Sequence, residues 1–331
     1  MSVPRASPAS LVSPDGAALA RRVGVSRFRD GSSSAGDDWV AREAPLEIRV
    51  GGSRLAVVMR TPGHDLELVR GLLFTEGIAG GPRDVAAIAH CRVAPPGAPE
   101  ESRENVVLVR LRRGGAYRPA RFRRNLIASS ACGVCGKSTI DALARRSPRV
   151  RSDLVVAPEL LLTLPGALRA AQQGFDATGG LHAAALFNVR DGRARLLVLR
   201  EDVGRHNAVD KVIGAALRHR LLPLSRCILQ VSGRAGFEIV QKARVAGIPI
   251  VAAVSAPSSL AVELAEAGGQ TLVAFVRGER LNVYSGPDRI ARSATPAARA
   301  AAGTGAPATT APPPAAARRR RTGRSDRRAG A

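Results

Sequence analysis

The chain has 331 residues, 45% of them apolar, which is enough for one large domain or two ordinary ones with sizeable cores and excludes general disorder. No stretch approaches the roughly 18 to 20 unbroken apolar residues of a membrane span, and the opening MSVPRASPASLVSPDG lacks a contiguous apolar core for a secretory signal, so the chain reads as cytoplasmic. The formal charge of +23 comes from 50 Lys and Arg against 27 Asp and Glu, with Lys137, Lys211 and Lys242 the only lysines, a bias that a GC-rich coding sequence would also produce and that is therefore weak evidence for a polyanionic partner.

In chain order, residues 1–41 open on a Ser, Pro and Ala-rich stretch and are taken as a disordered or loosely ordered extension. Residues 46–50 and 55–59 flank a GGSR turn and predict a hairpin. A helix follows in HDLELVRGLLFTEG, where Leu66, Val69 and Leu73 share a face and Gly77 supplies a C-terminal stop. Residues 105–111 read as another strand, so 42–150 is an α+β region. Pro158 and Pro165 each suit a first helical position, and APELLLTLPGALRAAQQ predicts one kinked helix or two short ones.

Strands are expected at 182–188, 195–199, 227–231 and 248–254, and helices at 208–217, 236–245 and 260–267. QTLVAFVRGERLNVYSG closes the run with a strand, a turn at Gly278 and a further strand. This alternation implies parallel pairing with helices covering the sheet, so the fold class is α/β, with 151–292 as its α/β region. Residues 293–331 hold PPP, RRRR and no large apolar residue; such a tail cannot offset its ordering entropy and is expected to be disordered. Its eight arginines and one aspartate carry about +7 of the charge, and a solvated, non-specific tail is the reading taken over a nucleic-acid arm.

Four cysteines are too few for a disulfide scaffold in a chain this long, and reduced thiols are the default. NLIASSACGVCGKSTIDAL places Cys132 and Cys135 beside Gly133 and Gly136, ahead of a helix starting near Ser138. A cysteine acts as its thiolate, which nearby cations such as Lys137, Arg123 and Arg124 or a helix N-terminus favour. Four uses of this CxxC stand open. Structural zinc would need two more soft ligands from Cys91, Cys227 or a histidine pair, with no second CxxC or HxxxH to supply them. A thioredoxin-like pair, a structural thiol pair and a sulfur carrier, in which one thiolate holds a persulfide and its neighbour assists, are the others.

Five blocks in order, ASSACGVCGKSTID, TGGLHAAAL, REDVGRHNAVDKVIG, SGRAGFEIVQKA and FVRGERLNVYSG, resemble the FdhD family, whose members are sulfurtransferases required by molybdenum and tungsten formate dehydrogenases. The similarity covers residues 42–289. Zinc cytidine deaminases share a fold with this family, which implies a cytidine deaminase-like C-terminal part. The chain has no H-x-E and no Pro before its first CxxC cysteine, so zinc-hydroxide chemistry is not supported, and no metal of its own is expected.

The resemblance implies that a cysteine desulfurase loads sulfur onto the CxxC, and that the sulfur passes to the Mo-bis(molybdopterin guanine dinucleotide) cofactor before it enters formate dehydrogenase apoenzyme. Carried onto this chain, Cys132 bears the persulfide and Cys135 shares, relays or releases the sulfur. The same match places part of the cofactor-binding site at Phe275, Val276, Arg277, Gly278, Glu279 and Arg280. There the arginines can fork onto phosphate oxygens or guanine acceptors, Gly278 lets the backbone approach and Phe275 offers a face; a plain hairpin with exposed arginines is the alternative. SGRAG, with Ser232, Gly233 and Arg234, can present N–H donors to phosphate. DVGRHN brings Asp202, Arg205, His206 and Asn207 to a helix start, with Asn207 as a candidate N-cap and His206 as a proton carrier or pocket residue. His182 reads as a core histidine, and His64, His90 and His219 as incidental. Dimerisation is an expectation carried by the family alone, and no membrane is implied. The opposing reading is a chaperone that only holds and delivers the cofactor.

Overall fold

Pairs of left-handed residues turn the chain early. Asp30 and Gly31 (φ 50° and 77°) link β1 (Ala20–Arg29) to β2 (Ser32–Ala41), and Gly51 and Gly52 (φ 59° and 83°) link β3 (Ala44–Val50) to β4 (Ser53–Arg60). Two-residue turns with positive φ at both positions match the twist of antiparallel strands. The computed structural model describes residues 18–91, 104–112 and 149–291, all within the unit Met1–Arg292. Cys132, Cys135, the first 17 residues and the tail 293–331 lie outside the described residues.

The β1–β2 hairpin corrects the expectation of a loosely ordered 1–41 over its second half. Its strands are largely exposed, so they lack the apolar alternation that marks a half-buried sheet. Only its inner end is anchored, where Ala20 and Trp39 pack against Ala177.

The second sheet has the order β4-β3-β6-β5, with β5 (Val85–His90) and β6 (Val106–Leu111). Helix α1 (Asp65–Thr75) covers one face, burying Leu68, Val69, Leu72 and Leu73 against Leu46, Ile48, Val107 and Val109. It ends where expected: Gly77 takes φ 70°, its N–H donates to Phe74 O, and Ile78 N–H donates to Leu73 O.

The third sheet has six strands in the order β12-β11-β10-β9-β7-β8. They are β7 (His182–Arg190), β8 (Arg193–Asp202), β9 (Cys227–Val231), β10 (Ile250–Ala253), β11 (Thr271–Arg277) and β12 (Arg280–Ser285). As expected, β9, β10 and β11 pair in parallel; the remaining pairs are antiparallel. Alternate residues of the strands face opposite sides. Ala184, Leu229, Val251 and Leu272 pack under α4 (Arg205–Arg218), α5 (Phe237–Val245) and α6 (Ser259–Gly268). Ala185, Ile228, Ala252 and Val273 pack under α2 (Pro158–Ala170), which precedes the short α3 (Gln173–Thr178). The result is the mixed α/β class read from the sequence.

Pro158 opens α2 and Pro165 lies inside it, so of the two readings of this segment the single helix is the one observed. A proline in a helix interior costs one backbone bond and about 3 kcal/mol. Leu161, Leu164 and Leu168, all essentially buried on the sheet, offset it. No helix among the described residues is long and apolar enough to cross a membrane.

Candidate functional site

Because β9, β10 and β11 run in one direction, their carboxyl ends share one edge of the sheet. The antiparallel β7 begins at that edge, and β8 ends there. In open α/β sheets this is the edge at which loops form ligand sites. Backbone bonds fasten the loops to one another. Ala183 N–H donates to Ser232 Oγ (2.9 Å) while Ser232 N–H donates to Ala183 O (3.0 Å). Ala235 N–H donates to Ala256 O (3.1 Å), Ser258 N–H to Ala235 O (3.1 Å) and Phe275 N–H to Ser255 O (3.3 Å). The SGRAG block after β9 and the FVRGER block at the end of β11, far apart in sequence, are thus both fastened to the loop that follows β10, the strand between them.

Phe275 departs from strand geometry. Its φ of 53° puts a bulky side chain in the left-handed region, a conformation costing on the order of 1–3 kcal/mol that persists only where the surroundings impose it. It coincides with a register shift between Ala274 and Arg277, and the extra residue turns the Phe275 ring toward the α5 and α6 layer while Val276 packs, fully buried, on the α2 side. The Arg277 guanidinium lies 5.6 Å from the centre of the Phe275 ring. Arg277 and Arg280 pair across the Gly278 and Glu279 turn, and all four of these residues are exposed. Of the six expected cofactor-contacting residues, Val276 is therefore the one that exposes no surface.

A basic group sits farther along the same edge. His206, in the first turn of α4, holds its Nδ1 2.6 Å from Glu238 Oε2 on α5. Burial pushes the Glu238 carboxyl up, but the His206 hydrogen bond and the charges of His206, Lys242 and Arg205 outweigh it and leave the carboxyl lowered. His182 is not the core histidine expected. It is half-buried at the start of β7, and burial together with the charges of Arg205, His206 and Arg234 pulls it below the ordinary histidine value against the opposing Asp202. Asn207 is not an N-cap either: Gly204 takes that position, and Asn207 Nδ2 instead donates to Asp202 Oδ1 (3.0 Å) and Met59 O (2.8 Å).

Asp202 is the fixed point beneath this group. Fully buried, it pairs with Lys211 Nζ at 2.7 Å and accepts from the N–H groups of Gly204 (2.8 Å) and Thr61 (3.2 Å). Lys211 also donates to Thr61 O (2.8 Å), and Val203 N–H to Thr61 Oγ1 (3.1 Å). A residue just past β4 thereby sets the start of α4. A second buried knot joins α1, α4 and α5: Lys242 Nζ lies 2.9 Å from Asp210 Oδ2, 3.2 Å from Glu76 Oε1 and 3.0 Å from Thr75 Oγ1. Burial pulls the Lys242 ammonium down, but Asp210 and Glu76 outweigh it and hold it above the usual lysine range. Neither knot was apparent in the sequence; Thr61 and Asp202 stand 141 positions apart.

On the α2 side, a cavity of about 560 Å³ opens beside His182 and Ser232 and is walled by Leu168, Phe175, Leu181 and Val254. Arg169 covers the Phe175 ring at 4.8 Å. Cys227, a candidate extra ligand in the zinc reading, is a core residue at the opposite end of β9, its thiol pushed up by burial against a weak bond from Asn188. The CxxC pair itself lies outside the described residues.

Comparison with known proteins matches residues 41–291 to the FdhD/NarQ family. A Streptomyces coelicolor protein named sulfur carrier protein FdhD is 50% identical over 274 residues, covering 81% of this chain and 94% of the relative. A Sulfolobus acidocaldarius protein of the same name is 44% identical over 270 residues, covering 82% and 98%. A crystal structure from Desulfotalea psychrophila, named as a candidate formate dehydrogenase accessory protein, superposes with a TM-score of 0.62 at 27% identity, covering 82% of this chain and all of that one. With a family match across most of its length and relatives near 50% identity, the chain belongs to the FdhD/NarQ family.

Proposed function

We propose that this protein is a sulfur carrier that serves the maturation of formate dehydrogenase. The observation that carries the reading is its membership of a family whose members, at 44–50% identity over about four fifths of this chain, are named sulfur carrier proteins. The CxxC of Cys132 and Cys135 supplies the chemistry the name requires. In this reading, the Cys132 thiolate attacks the terminal sulfur of a persulfide on a cysteine desulfurase; a new S–S bond forms on Cys132 and the donor cysteine leaves as its thiolate. Attack of the Cys135 thiolate on the inner sulfur then closes a Cys132–Cys135 disulfide and expels hydrosulfide. The two electrons come from the thiols, and the sulfide goes to the acceptor.

The acceptor in this proposal is the molybdenum of the bis(molybdopterin guanine dinucleotide) cofactor, bound as cargo. Phe275, Arg277, Gly278 and Arg280 suit its guanine and phosphate groups: an arginine stacked on an aromatic face, a second arginine beside it and an open backbone turn. The decisive experiment is reconstitution of apo formate dehydrogenase with the cofactor. The unmodified chain is expected to support activation, and the Cys132→Ala, Cys135→Ala double variant to lower it at least a hundredfold. Full activation by the double variant would favour a chaperone that only delivers the cofactor.

A further inference from the structure

Helix α4 carries a second group of cations at its other end, about 20 Å from His206 at the rise of an α-helix. Arg218 closes the helix, Arg220 follows it, and Arg70 reaches the same place from the middle of α1. With Val85 and Ile88 of β5 and Leu217 of α4, these three arginines line a cavity of about 240 Å³. The negative end of the α4 macrodipole accounts for Arg218 and Arg220. It does not account for Arg70, which is half-buried; burial and the Arg218 charge pull its guanidinium below the usual arginine range, against the opposing Glu67.

The neighbouring carboxylates are already engaged. Glu67 takes Arg200 in two bonds (2.7 and 3.2 Å) and Arg218 at 3.2 Å, and Asp84, just ahead of β5, accepts from Gly80 N–H at 2.6 Å. Arg70 forms no hydrogen bond or ion pair with a described residue. Alongside runs β5, the last strand in the order β4-β3-β6-β5, whose outer N–H and C=O groups pair with no described strand. Its exposed residues Ala86, Ala87 and Ala89 are short enough to let another backbone approach.

We propose that the outer edge of β5, with Arg70, Arg218 and Arg220, docks an extended acidic segment of a partner protein as an added strand. Alternate side chains of such a strand face opposite sides, and those two positions apart stand about 7 Å from one another on one side. Asp or Glu at alternate positions on the α1 side can thus reach different arginines, while the edge supplies backbone hydrogen bonds. Charge selects the occupant. A second copy of this chain would bring the same cations to the same edge. A nucleic acid would leave the peptide groups of β5 and the apolar wall of Val85, Ile88 and Leu217 unmatched. The inference does not rest on the sulfur-carrier reading.

The test is fluorescence anisotropy of the full chain with a labelled peptide of alternating Glu and Val. The peptide is expected to bind. The Arg70→Gln, Arg220→Asn double variant is expected to bind it at least tenfold more weakly while melting at the same temperature, since Asn tolerates the left-handed backbone of Arg220 (φ 57°). On the unmodified chain, a fully backbone N-methylated peptide, equal in charge but without N–H donors, is also expected to bind at least tenfold more weakly. Equal binding of that peptide would mean capture of carboxylates without strand addition and would overturn the proposal. Undiminished binding by the double variant would trace the peptide to the general positive charge of the chain. A labelled oligothymidylate weakened by the same substitutions as strongly as the acidic peptide would assign the arginines to nucleic acid. Either result would overturn the proposal, as would no peptide binding by the unmodified chain. Cys132→Ala is expected to leave peptide binding unchanged, so the docking edge and the sulfur-carrier reading stand or fall separately.

Discussion

Lys211 and Lys242 are two of only three lysines in a chain that uses arginine at its other cationic positions. Both are buried, and each ammonium spends its three donors on three oxygens: Asp202, Thr61 and Glu201 around Lys211, and Asp210, Thr75 and Glu76 around Lys242. A compact charge with three rotatable donors suits such a cage, and a planar guanidinium with five does not. Lys242→Arg is therefore predicted to lose about 1–3 kcal/mol by overpacking. Lys242→Met is predicted to lose about 3–5 kcal/mol, because Asp210 is left buried without its counter-charge. Urea unfolding measures both, and a Lys242→Arg variant as stable as the original would contradict this account of the cage.

At the scale of elements, α1 and α4 touch backbone to backbone. A Cβ on Gly71 would overlap Asp210 O, and one on Gly214 would overlap Glu67 O, so two glycines on facing helices bring the axes together. That approach lets Glu67, buried in α1, take Arg200 in a two-pronged bond (2.7 and 3.2 Å) and Arg218 at 3.2 Å. Gly71→Ala and Gly214→Ala are each predicted to destabilise the protein by about 3 kcal/mol, the upper end for overpacking. Thermal unfolding checks this, and a gain in stability, the ordinary result of Gly→Ala in a helix, would show that the helices are not in contact. The strands and helices of 182–285 were legible because each is a buried run or an apolar stripe of its own. The β1–β2 hairpin, β5 and α3 were not: the hairpin and β5 bury too little to show alternation, leaving the Asp30 and Gly31 pair as the hairpin's one signal, and α3 has only six residues.

On the scale of the molecule, the candidate site is a product of strand order. The blocks at 182, 202–207, 232–236 and 275–280 could each be recognised singly, but nothing in them states that β9 pairs with β7 on one side and β10 on the other. Their meeting at one edge depends on that pairing. The contribution of Thr61, which ties the end of β4 to Asp202 and Lys211, was invisible for the same reason. The arrangement gathers these blocks along one edge of the six-stranded sheet, and in the proposed function the sulfur chemistry belongs to Cys132 and Cys135. The most direct measurement is intact-mass and peptide mass spectrometry of the full chain after incubation with a cysteine desulfurase and cysteine. The account predicts one added sulfur atom on the peptide containing Cys132, removed by cyanide and absent from Cys132→Ala; an unchanged mass, or an adduct that persists in Cys132→Ala, would contradict it.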